Sequence, residues 1–76
     1  MNSKIKASAL KEMQGKLPDD IVSLRLRINT PLSEEIALLT AWGGEVLYDN
    51  GMLAIVKLPV GRVNEVAEWE MVLEIL

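Results

Sequence analysis

The carboxylates near the end of the chain are the side chains with the clearest capacity for chemistry. Glu65 and Glu68 share one face of a predicted helix, and Glu70 lies close by. A hard cation needs several converging oxygen ligands, so we favour a solvated helix face over a metal site. Asp49-Asn50-Gly51 matches part of a calcium-loop pattern, but the spacing that follows and the closing glutamate are missing. We expect no metal ion and no other cofactor.

Catalytic nucleophiles are also poorly supported. The chain contains no histidine and no cysteine, so neither a Ser-His-Asp nor a Cys-His arrangement can form. No group near the serines would activate a hydroxyl. Gly43-Gly44 follows a predicted helix and precedes a strand, the reverse of the order in a phosphate loop. Trp42 and Trp69 fall near helix ends, where we expect them to cover the core. We predict a binding or regulatory protein, not an enzyme.

Length and charge further limit the class of protein to which this chain can belong. The chain has 76 residues and a net charge of −3, which allows one domain with a small core. Residues 21–76 hold four basic side chains against eight acidic ones, whereas nucleic-acid binding needs a basic footprint. No apolar run is long enough to span a membrane, and the first residues lack the apolar segment of a secretory signal. We expect an intracellular chain, or one excised from a longer precursor.

The first part of the chain predicts a helix over residues 3–17. Its apolar side chains recur at four-residue spacing, which is typical of one stripe on a helix; they are Ile5, Ala9, Met13 and Leu17. We interpret residues 1–20 as an N-terminal helical extension and residues 21–76 as the domain proper.

The remaining elements follow from periodicity and turn residues. Residues 21–28 alternate between apolar and polar, which predicts a half-buried strand. Thr30-Pro31 predicts a helix start and Gly43-Gly44 its end. A hairpin at 45–49 and 52–58, a helix over 60–69 and a strand over 71–76 complete the chain. With right-handed crossovers this order predicts an α+β, ferredoxin-like fold: a four-stranded antiparallel sheet with two helices on one face, plus the N-terminal helix.

The register of the hairpin decides which side chains face the helices. A two-residue loop pairs Tyr48 with Leu53, and a three-residue loop, Asp49-Asn50-Gly51, pairs Tyr48 with Met52. We choose the three-residue loop, which suits a type I turn with a G1 bulge. The core side then holds Val46, Tyr48, Met52, Ala54, Val56 and Leu58. The helix-free face, the side of the sheet away from the helices, holds Ser23, Arg25, Arg27, Glu45, Leu47, Leu53, Ile55 and Lys57.

Three aliphatic side chains, Leu47, Leu53 and Ile55, therefore lie among charges on the helix-free face. Such a patch often marks a site for a protein partner. Two other interpretations stay open. The N-terminal helix could cover the patch with Ile5, Met13 and Leu17, or a second copy of the chain could bury it in a homodimer.

The order of motifs over about residues 21–76 matches a known family. A helix ends in Gly43-Gly44, a hairpin turns at Asn50-Gly51, a strand runs from Ala54 to Leu58, and a helix and a final strand follow over 63–69 and 72–75. This order resembles the prodomains of subtilisin-like serine proteases, the propeptide inhibitor family. The resemblance implies a ferredoxin-like fold and a role as inhibitor and folding chaperone of such a protease.

The resemblance also implies which residues bind the partner. In that family the helix-free face packs on the protease. Carried onto this chain, the face would contribute Leu47, Leu53 and Ile55, with Glu45, Arg25 and Lys57 at its rim, and Glu74 and Leu76 near the substrate cleft.

The sequence departs from the family in two respects. The family has a tail that continues past the final strand, whereas this sequence ends at Leu76, so we expect no substrate-like block of the cleft. Members of the family follow a secretion signal and precede a protease in the same chain, and these 76 residues contain neither. The alternative function is a small self-associating structural or regulatory module without a protease partner.

Overall fold

The computed structural model describes residues 3–76. The helices are α1 (Ala7–Met13), α2 (Glu34–Ala41) and α3 (Val63–Ala67), and a 3₁₀ turn, Val60–Arg62, leads into α3. The strands are β1 (Ile21–Ile28), β2 (Glu45–Asp49), β3 (Leu53–Pro59) and β4 (Val72–Ile75). They form an antiparallel sheet in the order β2-β3-β1-β4. The predicted α+β, ferredoxin-like fold with an additional N-terminal helix is confirmed.

The strict alternation of β1 produces the two-sided sheet. Every second residue of the strand, from Val22 to Ile28, is buried, and the residues between are exposed. The buried set packs with α2 through Leu39 and with α3 through Val63 and Val66. Because burial of each large aliphatic side chain contributes about 1.5–3 kcal/mol, this single layer between sheet and helices holds the fold together.

The start of α2 differs from the sequence prediction. The helix begins at Glu34 rather than after Thr30-Pro31. Leu32 is buried, and its backbone N–H donates to Oδ2 of Asp49 at 2.8 Å. This contact keeps the segment out of the helix as far as Ser33. The predicted end of the helix is confirmed, since Gly43 adopts a φ of +86° after Trp42.

The N-terminal segment also differs, because Ile5 and Lys6 are extended rather than helical. The N–H of Lys6 donates to the carbonyl of Ile75, and the N–H of Ile75 donates to the carbonyl of Lys4, both at 2.8 Å. Ile5 and Ile75 thus form a parallel bridge. The exposed edge of β4 offers these unpaired backbone groups, and pairing with them outweighs the extra helical turn. Leu17, placed on the predicted helical stripe, is 70% exposed.

The hairpin takes neither of the two registers considered. Asp49 pairs with Ala54 and Tyr48 with Ile55, whereas Val46 pairs with Val56, so Leu47 is an extra residue in a bulge. The carboxylate of Asp49 accepts N–H groups of Leu32 and Gly51. Holding Asp49 on the helix side in this way turns Tyr48 to the opposite side. The predicted core positions of Tyr48 and Met52 are therefore wrong.

Candidate protein-binding face

Strand pairing identifies the members of the helix-free face. Across β3 and β1, Lys57 lies opposite Ser23, Ile55 opposite Arg25, and Leu53 opposite Arg27. On β2, Glu45 lies opposite Lys57 and Tyr48 opposite Ile55. On β4, Glu74 lies opposite Arg27, and the backbone N–H of Leu76 donates to the carbonyl of Arg25 at 2.8 Å. The middle of the face is thus one row that crosses the sheet: Tyr48, Ile55, Arg25 and Leu76.

The apolar part of the face lies on β2 and β3. Tyr48 is 47% exposed and Leu47 is 49% exposed. Leu53 and Ile55 are half-buried beside them. Exposed aliphatic and aromatic side chains that are contiguous and rimmed by charge are typical of protein-binding sites.

The β4 side of the face carries an ion-pair network. One carboxylate oxygen of Glu74 lies 2.6 Å from Nε of Arg27, and the other lies 3.1 Å from Nζ of Lys6. The Arg27 guanidinium, followed by the Lys6 ammonium, holds the pKa of Glu74 below its ordinary value. Glu74 therefore connects the N-terminal segment to the sheet as well as belonging to the face.

A pocket of about 360 Å³ opens where α1 meets the helix-free face. Its lining comes from α1, from β1 and β3 and from the end of the chain: Ser8, Glu12, Ser23, Arg25, Ile55 and Leu76. Arg25 forms no ion pair with any of the residues in the described range 3–76. The pocket is therefore walled by two hydroxyl groups, the carboxylate of Glu12 and the cation of Arg25, with two aliphatic side chains beside them.

The N-terminal helix does not cover the apolar patch. Ala9 is fully buried and packs with the core, together with Ile5, while Met13 lies partly buried against it. Leu17 is exposed. The alternative in which Ile5, Met13 and Leu17 cover Leu47, Leu53 and Ile55 is wrong, because these side chains pack in the core or face solvent. The patch remains open to a partner.

The structure brings most of the predicted contact residues together. Arg25, Glu45, Leu53, Ile55, Lys57 and Glu74 share the helix-free face, and Leu76 lines its pocket. Leu47 lies in the bulge of the edge strand β2. Sequence reasoning missed Tyr48, which it assigned to the core. The signal for Tyr48 is its neighbour Asp49. The Asp49 carboxylate accepts backbone N–H groups on the helix side, and adjacent strand residues point to opposite faces, so Tyr48 lies on the helix-free face.

The helix side carries an aromatic cluster of its own. The rings of Trp42 and Trp69 stack with centroids 6.1 Å apart and planes inclined by 19°. The guanidinium carbon of Arg62 lies 5.1 Å from the Trp42 ring centroid, and this side chain also pairs with Glu65 at 2.7 Å. Both tryptophans pack partly buried against the core, as the sequence predicted.

Within residues 3–76, acidic side chains form no group of three that could hold a metal ion. None of the helices in that range is long and apolar enough to cross a membrane.

Comparison with known proteins gives no relative: no family model, no curated protein and no solved structure matches this chain. The resemblance to subtilisin prodomains therefore stays a prediction.

Proposed function

We propose that this protein is a protein-binding module that docks through its helix-free face on a subtilisin-like serine protease, as an inhibitor or folding chaperone. The observation that carries the proposal is the open apolar patch of Leu47, Tyr48, Leu53 and Ile55, with Tyr48 and Leu47 about half exposed. The choice of a protease as partner comes from the order of the sequence motifs. The helix-free face is the surface that the resemblance assigns to that contact.

The chemistry of the face suits a protein partner. Tyrosine and arginine, which are enriched at the centres of protein interfaces, lie on either side of Ile55 as Tyr48 and Arg25. The face is supported by paired β-strands, so docking requires little ordering of the backbone and keeps its entropic cost low.

The proposal is tested by mixing the chain with a panel of subtilisin-type proteases, with complex formation and residual protease activity as readouts. Ile55→Glu places a charge at the centre of the patch. We expect this variant to lose binding by at least about 100-fold, as for a central hot spot, while its circular dichroism and urea unfolding show a folded domain.

A matched pair of variants separates docking from a general effect of surface charge. Leu47 on the helix-free face and Leu38 on α2 are 49% and 45% exposed. Leu47→Glu should weaken binding, and Leu38→Glu should leave it unchanged. If the folded wild-type chain binds none of the proteases, the proposed function is wrong. Sedimentation of the wild-type chain tests the alternative, since a tight dimer that Ile55→Glu dissociates would assign the face to self-association.

A further inference from the structure

We propose that the partner supplies a carboxylate to Arg25: an acidic side chain of the protease surface enters the pocket between α1 and the helix-free face. This deepens, and rests on, the function proposed above.

The position of Arg25 favours an acidic partner group. Arg25 lies next to Ile55 at the middle of the sheet and has no ion pair with other residues of the described range. A partner that covers Ile55 also removes water from this guanidinium. A charge that is buried without a counter-charge is strongly unfavourable, so tight docking needs an acceptor at this point.

The other cations of the face form ion pairs with carboxylates of the chain or lie opposite one in the sheet. Arg27 and Lys6 both bind Glu74, and Lys57 lies opposite Glu45 on the neighbouring strand. Arg25 has Ile55 and Leu76 as its neighbours across the sheet. Among these cations, Arg25 is the one for which strand pairing provides no acid.

The pocket has the size and lining for such a group. Its volume of about 360 Å³ exceeds many times the roughly 30 Å³ share of one water molecule, so it admits a whole side chain. Ile55 and Leu76 can contact an aliphatic stem, and the hydroxyls of Ser8 and Ser23 can donate to a carboxylate that Arg25 binds with two parallel hydrogen bonds.

Glu12 is the competing acid, because it lines the same pocket from α1. If Glu12 turned to pair with Arg25 in the complex, no acid from the partner would be needed. In our proposal the partner carboxylate approaches Arg25 and is repelled by Glu12. Removal of the Glu12 charge therefore has opposite effects in the two cases.

The experiment measures the dissociation constant of four variants with the protease of the panel that binds the wild-type chain. We expect Arg25→Gln to weaken binding by at least about 30-fold, mainly through faster dissociation. The dissociation constant of Arg25→Lys should lie between those of the wild type and Arg25→Gln, since lysine keeps the charge but lacks the planar guanidinium. Glu12→Gln should bind as tightly as the wild type or tighter. The matched control, Arg62→Gln on the helix side, should stay within about 2-fold.

The outcomes separate this inference from the proposed function. If Ile55→Glu abolishes binding and Arg25→Gln changes it by less than about 2-fold, the docking face stands and the carboxylate contact is wrong. If Arg25→Gln and Glu12→Gln both weaken binding, the acid is Glu12 and the contact is again wrong. If Ile55→Glu binds normally, or if no protease binds the wild type, both the docking face and the carboxylate contact are wrong.

Discussion

Gly44 joins α2 to β2 and lies directly against the backbone of β3. Its N–H donates to the carbonyl of Leu39 at 2.8 Å. A Cβ added at this position would lie 2.0 Å from the carbonyl oxygen of Lys57, and that oxygen belongs to the strand ladder and has little freedom to move. At Gly43 a Cβ would meet no neighbouring atom, but the φ of +86° lies in the left-handed region that favours glycine. The two neighbouring glycines are thus required for different physical reasons.

Alanine at these two positions should separate the effects. Gly44→Ala forces β3 away from the end of α2, and we expect the free energy of unfolding to fall by about 3 kcal/mol, the upper range for overpacking. Gly43→Ala meets only the left-handed backbone cost of about 1–2 kcal/mol. Urea unfolding of both variants measures the difference. Equal losses would show that the close approach at Gly44 relaxes freely.

At the scale of elements, the sheet has two edges of different construction. Residues 4–6 cover the edge of β4, and an ion pair between Lys6 and Glu74 holds them there. Both edge strands carry a bulge, at Leu47 in β2 and between Arg27 and Ile28 of the β1–β4 pair. Bulges and covered edges prevent sheets from adding strands of other molecules. The two edges of this sheet are thus poorly suited to pairing with a strand of another molecule.

The ion pairs of Glu74 should give the stability of this edge a dependence on pH. The pKa of Glu74 is lowered by Arg27 and then by Lys6 from an ordinary value of 4.5. A lowered native-state pKa means that the stabilisation is present above the ordinary value and is lost as the pH falls through the lowered one.

Glu74→Gln tests this expectation. The variant should be less stable than the wild type at about pH 6, and the difference should shrink towards about pH 3. Thermal unfolding across this range is the measurement. Glu68→Gln is the control, since Glu68 makes no ion pair with the described residues. A difference that stays constant with pH would show that Glu74 acts through packing alone.

At the scale of the whole molecule, the N-terminal segment belongs to the same core as the rest. Ile5 is 7% exposed and Ala9 is fully buried, and both lie in the cluster that contains Leu26 and Val66. The segment 1–20, which the sequence suggested as an N-terminal helical extension, thus contributes Ile5 and Ala9 to the packing of residues 21–76.

Ile5→Ala should therefore weaken the whole domain rather than release the segment alone. We expect a loss of about 2 kcal/mol or more in the free energy of unfolding, as for truncation of a buried isoleucine. In urea the midpoint should fall, while the transition stays single and its slope unchanged. A second transition, or a reduced slope, would mean that the segment unfolds by itself.

The sequence was sufficient to predict elements marked by a regular residue pattern or by turn residues. The alternation of residues 21–28 and the glycines at 43–44 gave β1 and the end of α2 correctly. It was insufficient where one side chain meets a distant backbone group. Asp49 bonds to Leu32, which delays α2 and shifts the hairpin. The edge of β4 pairs with Ile5 and Lys6, which are extended there.

The same long-range contacts limited the prediction of the candidate site. Arg25, Ile55 and Lys57 were assigned correctly to the helix-free face, because they lie in strands of regular alternation. Tyr48 was not, because the bulge at Leu47 reverses its side.

The parallel bridge between Ile5 and Ile75 has a mechanical consequence. The two segments run in the same direction, so a pull on residue 3 and an opposite pull on residue 76 would slide one past the other. The hydrogen bonds of Lys6 and Ile75 would then be loaded together, in shear, instead of opening one after another. These hydrogen bonds between residues 4–6 and β4 would thus resist tension along the chain before it separated β4 from β1.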